Sequence, residues 1–437
     1  MADRSEVYET LDLALRIGEV LLTSGAGAAD VVASMLAVTS ACEVTHVSAD
    51  VTFVDLALRH QPSRNEAAAI QMRRVTRRPL DYADLIEVDR IVNDLVNGTI
   101  DRSEARDRLA RTVSTGHQRQ RWAVMVAWGV MGTGIALTLG GNAIVCVLAF
   151  LAACAIDATQ QLLPLHRIPA FYQQVAGGLV ATLIAVTAAA TGLEVNPSRV
   201  ITTGIVMLLA GVGIMGATQD ALTGFPVTAS ARFIDAVMNT AGIITGVSAG
   251  LTVAELFGVG LVSLKPGATG LAEVGVSVLG AALAAAAFAF ASYAPARSLL
   301  AVAPVAALGE GVLLAVGSSE VGAPWGSAAA AVTIGAVCFL VAGRFHVPPL
   351  VVVVPAIVPL LPGLAIYRGL ALLAEGKDGV LQLASALATA LALAAGVILG
   401  QYLAQPIRRE AHRWEARLSG PRMVGPFRSR GAGPEKT

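Results

Sequence analysis

The sequence predicts a mainly α membrane protein: ten transmembrane helices in two inverted five-helix repeats, preceded by a small cytosolic α+β domain. Three observations carry this fold class. Of 437 residues, 55% are hydrophobic and 14% charged, with mean hydropathy +0.67, whereas soluble domains carry roughly a quarter charged residues. The charge is unevenly placed: Met1 to Arg121 holds 15 of the 31 Lys and Arg and 18 of the 31 Asp and Glu, while Trp122 to Leu403 holds 8 and 10. From Trp122 onward, apolar runs recur at about the 20 residues needed to cross roughly 30 Å of hydrocarbon.

The opening residues, "MADRSEVYETLDLALRIGEV", lack the basic start, apolar middle and small-residue cleavage site of a secretory signal. Residues 1–121 are therefore expected to form a domain that stays in the cytosol. Apolar positions Val7, Leu11, Leu15 and Val20, then Val31, Met35 and Val38, predict two amphipathic helices separated by the "TSGAGA" break. Val44 to Leu58 alternates Val47, Ala49, Val51 and Phe53 with polar neighbours and predicts a hairpin or kinked pair of strands. Helices are expected over Asp81 to Asn97, stopping at Gly98, and over Asp101 to Val113, where Asp101 can cap the first-turn amides. His117, Arg119 and Arg121 then lead into the membrane.

The ten expected spans are 122–140, 142–160, 171–191, 199–217, 231–256, 271–292, 297–317, 325–343, 347–367 and 380–403. An even number places both termini on one side. Arg111, Arg119 and Arg121 precede the first span, and Arg408, Arg409, Arg413 and Arg417 follow the last. The excess of positive charge on cytosolic flanks then puts both termini in the cytosol, in a multi-pass protein of the cell membrane with a basic tail at 404–437.

Two stretches repeat. Leu208-Leu209-Ala210-Gly211 aligns with Leu360-Leu361-Pro362-Gly363 at an offset of 152, and Gly246 and Gly250 align with Gly396 and Gly400 at an offset of 150. The halves 122–257 and 271–403 have 136 and 133 residues and five spans each. An odd number of spans means that the second half enters from the opposite side, so the repeats are inverted, an architecture that places substrate sites at the repeat interface beside interrupted helices. The second stretch carries Pro355, Pro359 and Pro362, each of which removes a backbone donor. Broken backbone at membrane depth is tolerated inside a bundle or along a cavity, so both stretches are expected to face the interior and meet around a substrate path. Gly242-x3-Gly246-x3-Gly250 and Ala392-x3-Gly396-x3-Gly400 form smooth stripes for helix association, within one chain or in a homo-oligomer.

Several functions are excluded or unsupported. Cys42, Cys146, Cys154 and Cys338 have no CxxC or zinc-like spacing. No metal site and no cofactor is expected. His46, Asp50 and His60 fit neither HExxH nor a nucleophile elbow, so no enzyme site is read, and no Walker A motif suggests ATP-driven transport. Zero net charge argues against a nucleic-acid partner. Arg73, Arg74, Arg77 and Arg78 read as a solvated face beside the anionic inner leaflet.

The order of a hydrophilic N-terminal region, "LLPLHRIPAFYQQ", "LLAGVGIMGATQDALTG" with "TASARFIDAV", and "VPAIVPLLPGLAIYRGL" before a Gly-spaced last helix resembles the threonine/serine exporter family. Its most specific elements are the LLPG stretch and the Gly211, Asp220, Gly224 spacing. The resemblance implies ten spans in two halves and export of threonine and serine from the cytosol, driven by the proton motive force. Ala210-Gly211 stands where a typical member has Pro-Gly, so that break is expected to be milder. Two-subunit relatives are associated with dicarboxylate export, so another small metabolite remains an alternative substrate, and a membrane receptor or scaffold remains an alternative function.

Ionisable groups inside membrane spans are functional candidates because burying them is costly. Asp157, Glu310 and Asp235 are the proton-coupling candidates, Asp157 and Glu310 falling toward opposite sides of the membrane. Interface contact for Asp157 and an i,i+3 ion pair of Asp235 with Arg232 are the plainer accounts. Asp220, Arg368, Gln173 and Gln174 are the substrate-binding candidates: the resemblance points to Asp220, the planar fork of Arg368 suits a carboxylate, and the two amides suit a zwitterion. Gly211, Pro359, Pro362 and Gly363 mark the helix breaks along the pathway.

Overall fold

The computed structural model describes residues 4–63, 65–75, 80–115, 119–191, 196–209, 213–256, 271–317, 323–345, 347–374 and 376–411. Its N-terminal part has four helices and a small sheet, α1 (Arg4–Thr23), α2 (Ala28–Ala41), β1 (Val47–Val51), β2 (Asp55–His60), β3 (Ala69–Arg74), α3 (Tyr82–Val96) and α4 (Arg102–Thr115), with α1 and α2 on the sheet and α3 and α4 packed against α1. The strands are antiparallel in the order β1-β2-β3, with Val47 opposite His60 and Ala57 opposite Met72. Leu11, Ile17, Leu21, Met35, Leu56, Leu58, Tyr82 and Ile91 form the core beneath them. Asp81 accepts from the amides of Ala83 (2.7 Å) and Asp84 (3.0 Å) to start α3, and Asp101 accepts from Glu104 (2.7 Å) to start α4, satisfying first-turn donors that a helix leaves orphaned.

The expected hairpin is present, but β3 was not anticipated. Its alternation runs backwards: Ile70 and Met72 point outward, 57% and 70% exposed, while Arg73 turns inward to Glu19 at 2.5 Å and Asp12 at 3.8 Å on α1. A polar-inward edge strand carries no hydrophobic signature. The expected basic patch is accordingly half consumed, with Arg74 beside Asp55 at 3.7 Å. Arg77 and Arg78 lie outside the described residues.

The remaining helices are α5 (Arg121–Thr138), α6 (Ala143–Leu165), α7 (Ala170–Ala190), α8 (Pro197–Leu209), α9 (Gly213–Leu222), α10 (Pro226–Leu256), α11 (Leu271–Ala291), α12 (Ala296–Gly317), α13 (Ala323–Phe345), α14 (Leu350–Ile357), α15 (Gly363–Ala374) and α16 (Val380–Ala411), with a 3-10 turn Val358–Leu360 between α14 and α15. Among the described residues, eight spans are long and apolar enough to cross a membrane, with Leu350–Leu373 (α14 through α15) counted as one, or nine when α8 and α9, bent by 43°, also count as one span. The expected ten is thus not reached. The first expected span is helical as α5, but it opens on Arg121, carries Trp122, Trp128, three glycines and two threonines, and has only 18 residues. Its apolar content is diluted below that of its neighbours.

α5 packs on α6 and α11, α7 on α8 and α10, α12 on α11 and α13, and α13 on α16. Glycines set these distances. A Cβ added to Gly134 would lie 2.6 Å from Ala284 N and 2.7 Å from Gly280 O, and one on Gly280 would lie 2.7 Å from Gly134 O, so α5 and α11 touch backbone to backbone. Both Gly stripes are used within the chain: Gly242 faces Phe171 O of α7, and Gly396 faces Ala328 O of α13.

Candidate functional site

The proline break packs on α8, the helix that precedes the other break. Pro359 has no N–H to continue α14, and Pro362 disfavours helical backbone at Leu361, which is extended at φ −61°, ψ 141°. The chain restarts as α15 at Gly363, whose missing side chain lets it lie on α8: an added Cβ would collide with Val206 and sit 3.3 Å from Thr202 O. All eight residues of α14 are buried, so the proline-rich segment faces the interior. Its counterpart breaks between Leu209 and Gly213. Gly211 lies outside the described residues.

Between the breaks is a cavity of about 680 Å3, lined by Leu208, Leu209, Gly213 and Met215 on one side and Ile357, Leu361, Pro362 and Ile366 on the other. α10 and α16 flank it, and parts of the N-terminal layer also reach its lining. The wall is asymmetric in chemistry. α10 presents Arg232, Asp235, Asn239 and Thr240 at turn spacing, beside Gln174 of α7, while α14 and α16 contribute aliphatic side chains. The Asp235 carboxylate accepts from Asn239 Nδ2 at 3.3 Å, and Gln174 Oε1 is a buried acceptor with no hydrogen-bond donor among the described residues.

Of the candidates, Asp235, Gln174 and Pro362 line this cavity. Gly363 and Pro359 form its adjoining break. Gln173 is engaged elsewhere, donating to Ile168 O at 2.7 Å while its own carbonyl accepts from Gln160 at 3.0 Å in the α6–α7 corner. Arg368 follows on α15, half-buried and outside the lining.

Asp157 and Glu310 are each buried away from the lining. Asp157 accepts from Arg121 Nη2 at 2.6 Å and from Gln161 Nε2 at 2.9 Å. Glu310 accepts from Ser277 Oγ at 2.7 Å, and that hydroxyl lies 3.4 Å from Thr138 O. Arg121 and Thr138 are the two ends of α5, about 25 Å apart at 1.5 Å per residue. Gly309, the residue before Glu310, borders the break: an added Cβ there would lie 3.9 Å from Leu360 Cδ1.

Asp220 is fully buried on α9, yet not in the cavity wall. Its Oδ1 accepts from Ala28 N at 2.7 Å, and its Oδ2 lies 3.2 Å from Arg232 Nε. Arg232 is therefore engaged with Asp220, whereas the sequence suggested Asp235 as its partner; α10 starts beside the end of α9, which brings a more distant carboxylate within reach. Asn239 and Thr240 were not singled out from sequence. Their only local signal is the four-residue spacing from Asp235 and Ala236 on one face of a long helix.

Comparison with known proteins bears on this arrangement. A family model for threonine/serine exporters matches residues 12–254, and a second, described as "Threonine/Serine exporter, ThrE", matches residues 277–403. The chain is 36% identical over 420 residues to a protein of Mycobacterium tuberculosis (strain ATCC 25618 / H37Rv) named "Probable threonine/serine exporter", covering 94% of this chain and 79% of that protein. The chain belongs to the threonine/serine exporter family. A second family member, the "Threonine/serine exporter" of Corynebacterium glutamicum, is 34% identical over 419 residues, covering 94% of this chain and 85% of the relative. No solved structure matches the chain. Membership of this exporter family makes the protein a multi-pass membrane transporter and not an enzyme. Among the described residues, no group of three or more His, Cys, Asp or Glu is placed to hold a metal ion.

Proposed function

We propose that this chain exports threonine and serine from the cytosol by proton antiport, through the cavity between the two helix breaks. The observation that carries this is the cavity's composition: a small group of polar side chains, Arg232, Asp235, Asn239 and Thr240 of α10 with Gln174 of α7, in an otherwise mainly apolar lining to which α14 and α16 contribute only aliphatic residues. A small zwitterion has the matching chemistry. Asp235, oriented by Asn239, takes the ammonium group; the unmet Gln174 Oε1 takes a hydroxyl donor; and the methyl group of threonine packs on the aliphatic side. Glu310 carries the coupling proton, because it is buried and its hydrogen-bond partner is the neutral hydroxyl of Ser277. Asp157 is held instead by the Arg121 guanidinium at 2.6 Å.

The membrane part is divided as 122–257 and 271–403, with five spans in each half and α5 counted as the first. Recurrent packing supports an inverted repeat. α7 meets α10 as α13 meets α16, α5 meets α8 as α11 meets α14, and α9 meets α16 as α15 meets α10. Residues 1–121 then lie in the cytosol of a cell-membrane protein, together with the basic tail 404–437, of which 412–437 lie outside the described residues.

Cells loaded with threonine or serine as dipeptide test this. The protein should accelerate efflux, and a protonophore should abolish the difference. Efflux equal to that of cells lacking the protein would sink the amino-acid reading, and protonophore-insensitive efflux would sink the antiport.

A further inference from the structure

The N-terminal layer forms part of the cavity wall. Leu22, Thr23 and Gly25 at the α1–α2 corner, and Phe53 and Val54 at the β1–β2 turn, contribute to the lining together with the two broken helices. This corner is not simply resting there. Arg232 Nη2 donates to Ala26 O at 2.9 Å, and Asp220 Oδ1 accepts from Ala28 N at 2.7 Å. Gly27, the residue before α2, has no side chain to cap the helix, so Asp220 reaches from α9 to supply the carboxylate that a helix N-terminus favours. An added Cβ on Gly27 would lie 2.8 Å from Gln219 Nε2 and 3.5 Å from Asp220 Oδ1, so the glycine permits the approach. Gln219 Nε2 also lies 3.4 Å from Asp30 Oδ2, and Thr228 Oγ1 donates to Val51 O at 2.9 Å.

Asp220 is fully buried and the Arg232 side chain is 10% exposed, at the cavity wall, so the carboxylate has no water as an alternative partner. Breaking such a pair is far more costly than breaking a surface one. Asp220 sits on the helix that follows the first break, and Arg232 sits at the cavity. The pair lies between α9 and α10, and each of its members also holds the α1–α2 corner by one backbone hydrogen bond, which anchors the domain beside the first break.

We propose that the N-terminal domain is the cytosolic gate of the exporter, held across the cavity mouth by a latch made of Asp220, Arg232 and the first turn of α2. This rests on the cavity being the substrate path. Asp220 and Arg232 are positioning residues: they hold α2 in place and do not touch the substrate. Substrate enters when the α1–α2 corner separates from α9 and α10.

The test reads the gate without using transport. Ala386 is a buried residue of α16 in the cavity wall, and Ala386→Cys provides a thiol there. In inside-out vesicles holding the full chain, a charged, membrane-impermeant maleimide should label this thiol slowly. Adding Asp220→Asn or Arg232→Gln should accelerate labelling roughly tenfold or more, since an open state held to between about 0.1 and 10% has that room to rise. Thr228→Val, which removes one neutral hydrogen bond, should give a smaller increase. Native Cys338, fully buried in α13, is the internal control and should remain unlabelled. Unchanged labelling of the introduced thiol in the charge variants would overturn the gate, and so would equal acceleration at Cys338, which would assign the pair to folding alone. Accelerated labelling without threonine or serine efflux by the parent protein would uphold the gate and reject the substrates.

Discussion

Three buried carboxylates on the membrane helices differ in what neutralises them. Asp220 and Asp157 have guanidinium partners at 3.2 and 2.6 Å, whereas Glu310 is met by the hydroxyl of Ser277 at 2.7 Å. A carboxylate beside a guanidinium accepts from a donor that is always charged, while one met by a hydroxyl can serve as acceptor when ionised or as donor when protonated. Opposite outcomes follow for two amide substitutions. Asp157→Asn should destabilise by about 1–2 kcal/mol through its weakened hydrogen bonds, measured as a lower melting temperature in detergent, with efflux still responsive to a proton gradient. Glu310→Gln should change stability by less than about 1 kcal/mol, because the amide can still accept from Ser277, while gradient-dependent efflux is lost.

At the scale of elements, the decisive contacts are between backbones. A side chain at Gly134 would enter the carbonyl of Gly280 and the amide of Ala284, so Gly134→Val must push α5 off α11. The expected cost is about 1–3 kcal/mol or more by overpacking, read as lower abundance in the membrane and a lower melting temperature. Gly275 of α11 is the contrast: nothing lies within 4 Å of an added Cβ, and Gly275→Ala should be neutral or stabilise by up to about 1 kcal/mol. The α14–α15 break has a similarly specific cause. Leu361 is extended because a residue before proline avoids the helical region. Pro362→Ala should lower the efflux rate several-fold without removing protein from the membrane, by letting the two helices join into one.

For the whole molecule, the two halves touch through α5 with α11, α8 with α15, and α9 with α16. The two family models also part between residues 254 and 277. Residues 1–256 and 271–437 expressed as separate chains should therefore copurify and restore threonine efflux. Absence of copurification in mild detergent would show that the covalent link is required for assembly.

Hydropathy and chain chemistry made much of this legible beforehand. Apolar runs located the membrane helices because exclusion from water is a local property of about twenty residues, and Pro359, Pro362 and Gly363 announced a break because proline and glycine act on their own backbone. Asp81 and Asp101 were readable as helix starts for the same reason. The partners of the charged groups were not readable. Asp220 and Ala28 are 192 positions apart in the chain, and β3 carries its apolar residues on the outer side. Nor could sequence bring Asn239 and Gln174 to one cavity, since spacing along a helix says which residues share a face and not what that face meets. Local hydration and backbone geometry are written residue by residue along the chain; the latch, the cavity and the exclusion of water from Asp220 exist only once distant segments are packed together.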